Sequence, residues 1–516
     1  MVEFPQPPHV IDELLADLSA TSGEEQPVNA PFTGTTLCTL PLSSLDDVAD
    51  AANKARLAQL AWWEAGFAHR RRVLLRAHDL MLARQELILD LIQAETGKAR
   101  LHAFEDFAMG VYATRYNALS AKPVLRRTSR RAMLPVLYRT RLEYRPKGLI
   151  GIITPWNYPV ALGVMDASAA LAAGNAVLHK ADSQAALSVL AARRAFIDAG
   201  LPAELWAVVT GSGATVGDAV VTSADYVSFT GSTATGIHVG RRALETLTGS
   251  SLELGGKNPM IVLDDVNIAS VAKDAAYASF ASLGQLCVSI ERLYVQRAIY
   301  DEFVTAFTDR VSTLIQGAAY DNSVDLGSLT LPSQLERVQA HVDDALDKGA
   351  TLLAGGAHRP DLGPLFYEPT VLADVSDDAE CRHNETFGPV VALYPFDTDD
   401  EAIIAANDTE FGLNASIFSG SRRRARRLAS ALSAGSVNIN EGYRATFGSA
   451  DAPMGGMKRS GLGRRNGPEG LLRFVEARTV SESRRLFTLA RTGKEAGLVG
   501  GLTITALKLL KALRIR

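Results

Sequence analysis

From Gly148 onward, short apolar runs alternate with alanine-rich stretches, and this alternation is the dominant pattern of the chain. Gly148-Leu-Ile-Gly-Ile-Ile-Thr predicts a buried strand, Val160 to Gly174 a helix closed by its glycine, Ala176 to Lys180 a strand and Ala185 to Gly200 a helix. Leu205 to Val209 and Tyr226 to Phe229 continue the series. Continuously apolar strands spaced by helices are the mark of βαβ units and of a parallel sheet covered on both faces. A second α/β series opens near Pro259 with Met260-Ile-Val-Leu263, then takes in Arg292 to Gln296, the amphipathic segment Tyr300 to Leu314, and Val390 to Tyr394. Two such series predict two doubly wound domains with a cleft between them, where ligands bind.

Outside these series the texture differs. Asn29 to Pro41 predicts a turn and an alternating strand that stops at proline. From about Leu45 to Gln93, residues Leu74, Leu75, Leu80, Met81, Leu87 and Leu91 recur at helical spacings, and Arg70-Arg71-Arg72 reads as a solvated helix face. Gly97 stands where a helix C-terminus favours glycine. Thr114 to Arg145 is basic, proline-punctuated and β-prone, with Arg126, Arg127, Arg130 and Arg131 close together, so a ribbon that pairs with another segment is expected. Gly497 to Arg516 sets Leu502, Ala506, Leu509, Leu510 and Leu513 along one helical face, with Lys508, Lys511, Arg514 and Arg516 largely elsewhere and no acid after Glu495. Such a basic amphipathic segment suits an anionic membrane surface or a groove of its own oligomer.

Composition narrows the function classes. The chain has 516 residues, 47% hydrophobic and 21% charged, enough for two or three sizeable cores. A formal net charge of −4 argues against nucleic-acid binding, which is driven by a cationic face releasing counterions from phosphates. Only three cysteines occur, Cys38, Cys287 and Cys381, an odd number without metal-ligand or CxxC spacing, so no metal and a reducing cytoplasm are expected. The first residues lack the basic and apolar regions of a signal peptide, and no uninterrupted apolar run approaches the ~20 residues of a membrane span.

Four stretches carry candidate chemistry. In Phe280 to Arg292, Gly284 and Gln285 interrupt an apolar run just ahead of Cys287, which predicts a tight turn with backbone N–H groups facing the sulfur. Alone, such a cysteine is more readily a core residue, free Cys being among the most buried residue types. Glu253 stands between Leu252 and Leu254 before a glycine pair; poor solvation raises such a carboxyl toward neutrality, where it serves as general base, while a helix-end carboxylate is the plain alternative. Thr154-Pro-Trp-Asn-Tyr-Pro159 is a loop stiffened by two prolines, in which Asn157 offers a neutral amide to negative charge developing on oxygen. Phe229-Thr-Gly-Ser-Thr-Ala-Thr-Gly236 lies between a strand and a helix and suits phosphate binding, without being a G-x-G-x-x-G fingerprint.

Over roughly residues 30 to 482 the ordered motifs resemble the aldehyde dehydrogenase superfamily. They are Pro-Trp-Asn-Tyr-Pro at 155 to 159, Ala172-Ala-Gly-Asn-Ala-Val with Lys180, Phe-Thr-Gly-Ser-Thr at 229 to 233 and Glu-Leu-Gly-Gly-Lys at 253 to 257. Gly-Gln-Leu-Cys at 284 to 287, Glu-Thr-Phe-Gly-Pro at 385 to 389 and Pro453 to Arg464 complete the series. The resemblance implies an α/β fold of two doubly wound parallel-sheet domains plus a β oligomerisation flap. Residues 1–122 and 143–253 would form the cofactor-binding domain, 254–465 the catalytic domain, and 123–142 and 466–490 the flap, while the basic amphipathic tail, 491–516, extends past the resemblance. A homodimer or homotetramer in the cytoplasm is implied, with peripheral membrane contact through the tail as a further option.

The same resemblance implies roles. Cys287 would attack the aldehyde, Asn157 and the Cys287 N–H would hold the oxyanion, and Glu253 would activate water to hydrolyse the resulting thioester to a carboxylic acid. Thr154, Pro155, Trp156 and Gly255 would line the cofactor, Lys180 would bond the adenine ribose, Gly231 and Ser232 would lie near the pyrophosphate, and Glu385 with Phe387 would hold the nicotinamide ribose. Ser183 stands where NAD-preferring members commonly carry glutamate, so NADP is expected, with NAD as an alternative and Asp182 next door a competing charge. Lys180 to Ala185 resembles the actinobacterial succinate-semialdehyde dehydrogenases. Yet Met165 and Ala281 occupy the positions where such enzymes carry carboxylate-gripping arginines, leaving Arg444 and Thr446 as substrate candidates and a less polar or aromatic aldehyde as the alternative. A non-redox esterase would share Cys287 and Glu253 without needing the cofactor motifs. Arg465 stands where many relatives have an acid, and Cys381 reads as structural.

Overall fold

The computed structural model describes residues 3–132, 137–484 and 492–514. Part of the expected flap and tail, residues 133–136 and 485–491, and the terminal Arg516 lie outside these. The described chain divides into a larger unit, residues 1–124 and 146–475, and a smaller one, residues 125–145 and 476–516.

In the larger unit, β1 (Leu149–Ile153), β2 (Ala176–Lys180), β3 (Trp206–Val209), β4 (Tyr226–Thr230) and β5 (Gly249–Glu253) form a parallel sheet in the order β5-β4-β1-β2-β3. β1 to β4 are buried almost throughout, as continuously apolar runs require when helices cover both faces. The order reverses between β1 and β4, so the loops leaving their C-terminal ends diverge and open a crevice there. The second sheet contains β6 (Asn258–Val262), β7 (Ile290–Gln296), β8 (Thr351–Ala354), β9 (Thr370–Ala373), β10 (Val390–Phe396), β11 (Asn414–Phe418) and β12 (Ser436–Ile439), in the order β8-β9-β10-β7-β6-β11-β12. All pairs are parallel except β8 with β9. A two-residue strand, β13 (Gly461–Leu462), returns to pair antiparallel with β5.

Several expectations are met closely: the helix Pro159–Ala173 ends on Gly174 at φ 97°, and the helix Gln85–Thr96 on Gly97 at φ 71°. The early helical stretch is three helices, Leu45–Glu64, Gly66–Ala83 and Gln85–Thr96. Two readings are corrected. Arg70 is not solvated: it is 1% exposed and donates to the carbonyls of Trp62, Trp63 and Ala172, with its guanidinium over the Phe67 ring. The region expected to turn β-like at Thr114 is instead the end of a helix running from Arg100 to Leu125, with Pro123 inside its last turns. Proline is tolerated there because the upstream turns already hold the helix against the core through residues such as Phe107 and Ala113.

The smaller unit holds a three-stranded sheet of Thr128–Arg130, Tyr138–Pro146 and Val475–Ser483, in which Arg478 pairs with Glu143, and a helix, Gly493–Ala512. Residues 466–474 belong to the larger unit rather than to this sheet, because they form the short helix Gly467–Leu472 with Leu471 buried. On the tail helix Leu502, Leu509 and Leu513 are exposed as the one-face pattern requires, but Ile504 and Leu507 are exposed elsewhere on it.

Candidate active site

Opposite edges of the two sheets supply the site. β1, β4 and β5 present their C-terminal ends, while β6, β7 and β10 present the loops before their N-terminal ends. The loops converge on a cavity of about 280 Å³ lined by Pro155, Trp156, Asn157, Gly231, Ser232, Glu253, Gly255, Cys287, Glu385 and Phe387.

The turn before Cys287 is built as the glycine suggested, and more tightly. Ser282, Leu283 and Gly284 all take positive φ, 52°, 55° and 71°. Two consecutive non-glycine residues in the left-handed region are costly, so the surroundings must enforce them. Gln285 does part of this: its Oε1 accepts from the Thr330 N–H at 3.0 Å and its Nε2 donates to the Ser282 carbonyl at 3.2 Å. Asn258 adds a second brace, donating to the carbonyls of Cys287 at 2.8 Å and Ser289 at 2.7 Å. A side chain at Gly284 would run into the Gly388 carbonyl, so the cysteine turn and the Glu385–Gly388 loop touch backbone to backbone.

Cys287 is half-buried, and burial, then the carboxyls of Glu385 and Glu253, push its thiol up to about 12. The thiol therefore needs a nearby proton acceptor to become a nucleophile. Glu253, at the end of β5, lines the same cavity. It is 5% exposed and its Oε1 has no hydrogen-bond partner among the described residues. Burial raises it to about 7, although Arg465 and Arg473 pull the other way. Asn157 is buried, and its Nδ2 donates to the Gln285 carbonyl at 2.9 Å, which holds the amide beside the cysteine turn.

The cofactor candidates fall into two groups. Those lining the cavity fit a dinucleotide: Ser232 caps the helix Thr233–Leu244, whose N-terminus faces the crevice, and Gly231 leaves room where a Cβ would stand 2.6 Å from the Phe229 ring. Gly255 is a second cradle, since a side chain there would collide with the Glu385 carboxylate. Burial and the neighbouring Glu291 raise Glu385 to about 8, and it accepts from the Gly256 N–H at 2.8 Å. Phe387, at φ 54°, meets Trp156 edge to face at 5.7 Å. Its loop is held by Glu291, which accepts from the N–H groups of Thr386 and Phe387 and pairs with Lys257. Thr154, Lys180 and Ser183 lie off the cavity, along the same sheet edge. Thr154 bonds His179 at 2.8 Å; Lys180 is buried with no ion-pair partner among the described residues; Asp182 accepts from the Gln184 N–H at 3.0 Å and so caps the turn that carries Ser183.

Arg444 and Thr446 are not brought to the cavity. Arg444 is nearly half exposed, pairs with Glu441 at 3.4 Å and lies over the Tyr277 ring; Thr446 bonds Asn438 and the Tyr443 carbonyl. Conversely, Leu331, Gln334 and Arg337 line the cavity although nothing in the sequence pattern singles them out. They open the helix Pro332–Asp347, and Gln334 donates to the Phe387 carbonyl at 2.7 Å. The proline marks a helix start but not where that helix docks.

A family model described as the aldehyde dehydrogenase family matches residues 18–480. A protein of Mycolicibacterium smegmatis named "Putative succinate-semialdehyde dehydrogenase (NADP+)" is 48% identical over 472 residues, covering 92% of this chain and 91% of that one. The Arabidopsis thaliana protein named mitochondrial succinate-semialdehyde dehydrogenase is 37% identical over 457 residues, 88% of this chain and 85% of its own. Among solved structures, an E. coli NADP-dependent enzyme superposes with a TM-score of 0.87 at 34% identity, covering 90% of this chain and 96% of that one.

Proposed function

The chain belongs to the aldehyde dehydrogenase family, and on that premise we propose that it oxidises an aldehyde to its carboxylic acid through a thioester on Cys287, with NADP preferred over NAD. The observation that carries this is one cavity lined by the Cys287 thiol, the Glu253 carboxyl, whose Oε1 has no partner among the described residues, the Asn157 amide and the Gly231, Gly255 and Glu385 cradle. Glu253 would take the thiol proton, and Asn157 with the Cys287 N–H would hold the oxyanion of the thiohemiacetal. When bound, the nicotinamide supplies the hydride acceptor. After the hydride has left, Glu253 would release the thiol proton to solvent and deprotonate the water that cleaves the thioester, and the expelled thiolate would take that proton back as the acid departs. Residues 1–122 and 143–253 would hold the cofactor and 254–465 the catalytic machinery. The preference for NADP draws support from Ser183, which carries no charge against a 2′-phosphate, and from Asp182 being occupied by its own turn.

Succinate semialdehyde is the first substrate to test, because relatives 47% and 48% identical carry that name. A less polar aldehyde is the second reading, favoured by one observation: Met165 and Ala281, both buried, join Leu162, Leu286 and Phe447 in the apolar cluster against which Cys287 packs. Reduced-nicotinamide production from a panel of succinate semialdehyde, butanal and benzaldehyde, with NADP and NAD, decides between them. No reduction with any aldehyde, or full activity in Cys287→Ser, would refute the assignment.

The three-stranded sheet of the smaller unit would serve a homodimer or homotetramer, which light scattering of the full chain tests. The tail helix would rest on an anionic membrane surface, with Lys508, Lys511 and Arg514 supplying charge and Leu502, Leu509 and Leu513 the apolar contact. Equal sedimentation with anionic and neutral vesicles, or no loss of binding in a chain ending at Arg491, removes the membrane contact.

A further inference from the structure

Behind Glu253 lies a cluster of three buried charges that the reaction above does not use. Asp166, on the helix that follows the Asn157 loop, is 1% exposed and accepts from Arg465 Nε at 3.0 Å and Nη2 at 2.9 Å, from Ser228 Oγ and from Arg473 Nη2. Burial works against its ionisation, but the two guanidinia outweigh it and hold Asp166 well below the usual carboxylate range. Two cations and one anion leave one net positive charge.

Strand register puts that charge on the face where Glu253 projects. Ser228 pairs with Ser251 and Thr230 with Glu253, and residues two apart on a strand share a face. Arg473 Nη1 donates to Ser251 Oγ at 2.8 Å, and Arg465 Nη2 donates to Thr230 Oγ1 at 2.8 Å. The two guanidinia therefore lie along one ladder of side chains, with Arg465 at the Thr230–Glu253 rung. The backbone of Arg465 exchanges two hydrogen bonds with Met454, at 2.6 and 2.7 Å, and the next residue, Gly455, approaches so closely that a Cβ there would stand 3.1 Å from Glu253 Oε1. The charged groups acting on Glu253 are thus Arg465, Arg473, Asp166 and Arg464, with the Cys287 thiol across the cavity.

We propose that Arg465 is a positioning residue for Glu253: clamped by Asp166 and Arg473, its guanidinium fixes a positive charge at the Thr230–Glu253 rung, beside the base. That charge favours the carboxylate form of Glu253. A buried ion cluster is a weak source of stability, because desolvation offsets most of the Coulombic gain. Its value here is a charge that neither moves nor titrates. The inference rests on Glu253 being the base that hydrolyses the thioester.

p-Nitrophenyl acetate tests it without nicotinamide. Attack by the Cys287 thiolate expels p-nitrophenolate in a burst, and water then cleaves the acetyl thioester to acetate and thiol, setting the steady rate. The pH dependence of that steady rate is compared in the wild type, Glu253→Gln, Arg465→Met, Arg465→Lys and Asp166→Asn. Arg465→Met should move the acid limb up by about one pH unit, and Arg465→Lys should leave it within about 0.3 unit. Asp166→Asn, which leaves two guanidinia uncompensated, should move it down. A merely structural cluster would lower the rate in both charge-changing variants without shifting the limb in opposite directions. If Arg465→Met does not fold, Arg465→Lys and Asp166→Asn carry the sign. Limbs that do not shift, or shift the same way, overturn the inference while leaving Glu253 as the base, provided the limb is lost in Glu253→Gln. A limb that survives in Glu253→Gln overturns the reading of the base itself.

Discussion

Glu253→Gln should stabilise the folded chain above neutral pH even as it removes the proposed base. Burial lifts the Glu253 carboxyl from its ordinary 4.5 to about 7. Between those values the unfolded chain has released a proton that the folded chain still holds, so stability falls as pH rises through this window and stays lower above it. The gap corresponds to about 3 kcal/mol, and because Glu253 is 5% exposed, solvent screening takes little from it. Gln cannot ionise and escapes the penalty. It still buries an amide where Oε1 has no partner, which costs about 1 kcal/mol. The net expectation is a gain of about 2 kcal/mol at pH 8.5, shrinking to nothing near pH 5, where the wild-type penalty is itself only about 1 kcal/mol. Urea unfolding of both proteins at the two pH values measures this directly. Equal stability at pH 8.5, or a difference that does not change with pH, refutes the claim that the fold holds this carboxyl against its preference.

Three further outcomes test the site's construction. Gly284→Ala places a Cβ against the Gly388 carbonyl at φ 71°, adding about 1–2 kcal/mol of left-handed backbone cost and parting the nucleophile turn from the Glu385 loop. A fall in kcat/KM of about 100-fold is expected, and unchanged kinetics would show that the two loops need not touch. Asp106→Ala strips the partner from Lys98, whose side chain is 2% exposed and whose Nζ stands 3.1 Å from Asp106 and 3.6 Å over the Tyr158 ring; a loss of about 3–5 kcal/mol in unfolding is expected, and a loss below 1 kcal/mol would mean that water reaches the amine. Arg444→Ala should leave KM for succinate semialdehyde unchanged, since the guanidinium is held by Glu441 and Tyr277 away from the cavity; a tenfold rise would return it to the substrate site.

The sheets and the site motifs are legible in the sequence because their signals are local. A short apolar run such as Ala176 to Leu178, set between a helix-closing glycine and the next helix, reads as a strand covered on both faces, and Gly97, Gly174 and Gly284 stand where positive φ is needed. Cys287, Glu253, Asn157 and the glycine cradles lie at the ends of such strands or in the loops beside them, so finding the strands finds the candidates. What the pattern alone leaves open is which distant residue satisfies a buried polar group. Arg70 stands in a basic run that looks solvated, and only the carbonyls of Ala172 and of Trp62 and Trp63 in the preceding helix turn it inward. Arg465 stands in the sequence only as a departure from the acid many relatives carry, and its meeting with Asp166 spans 299 residues. Leu331, Gln334 and Arg337 look like an ordinary helix start until Gln334 is seen bonded to Phe387. Backbone preference and apolar periodicity act over a few residues and are written in the chain, whereas the charge surrounding Glu253 comes from segments that meet only when the sheets pack.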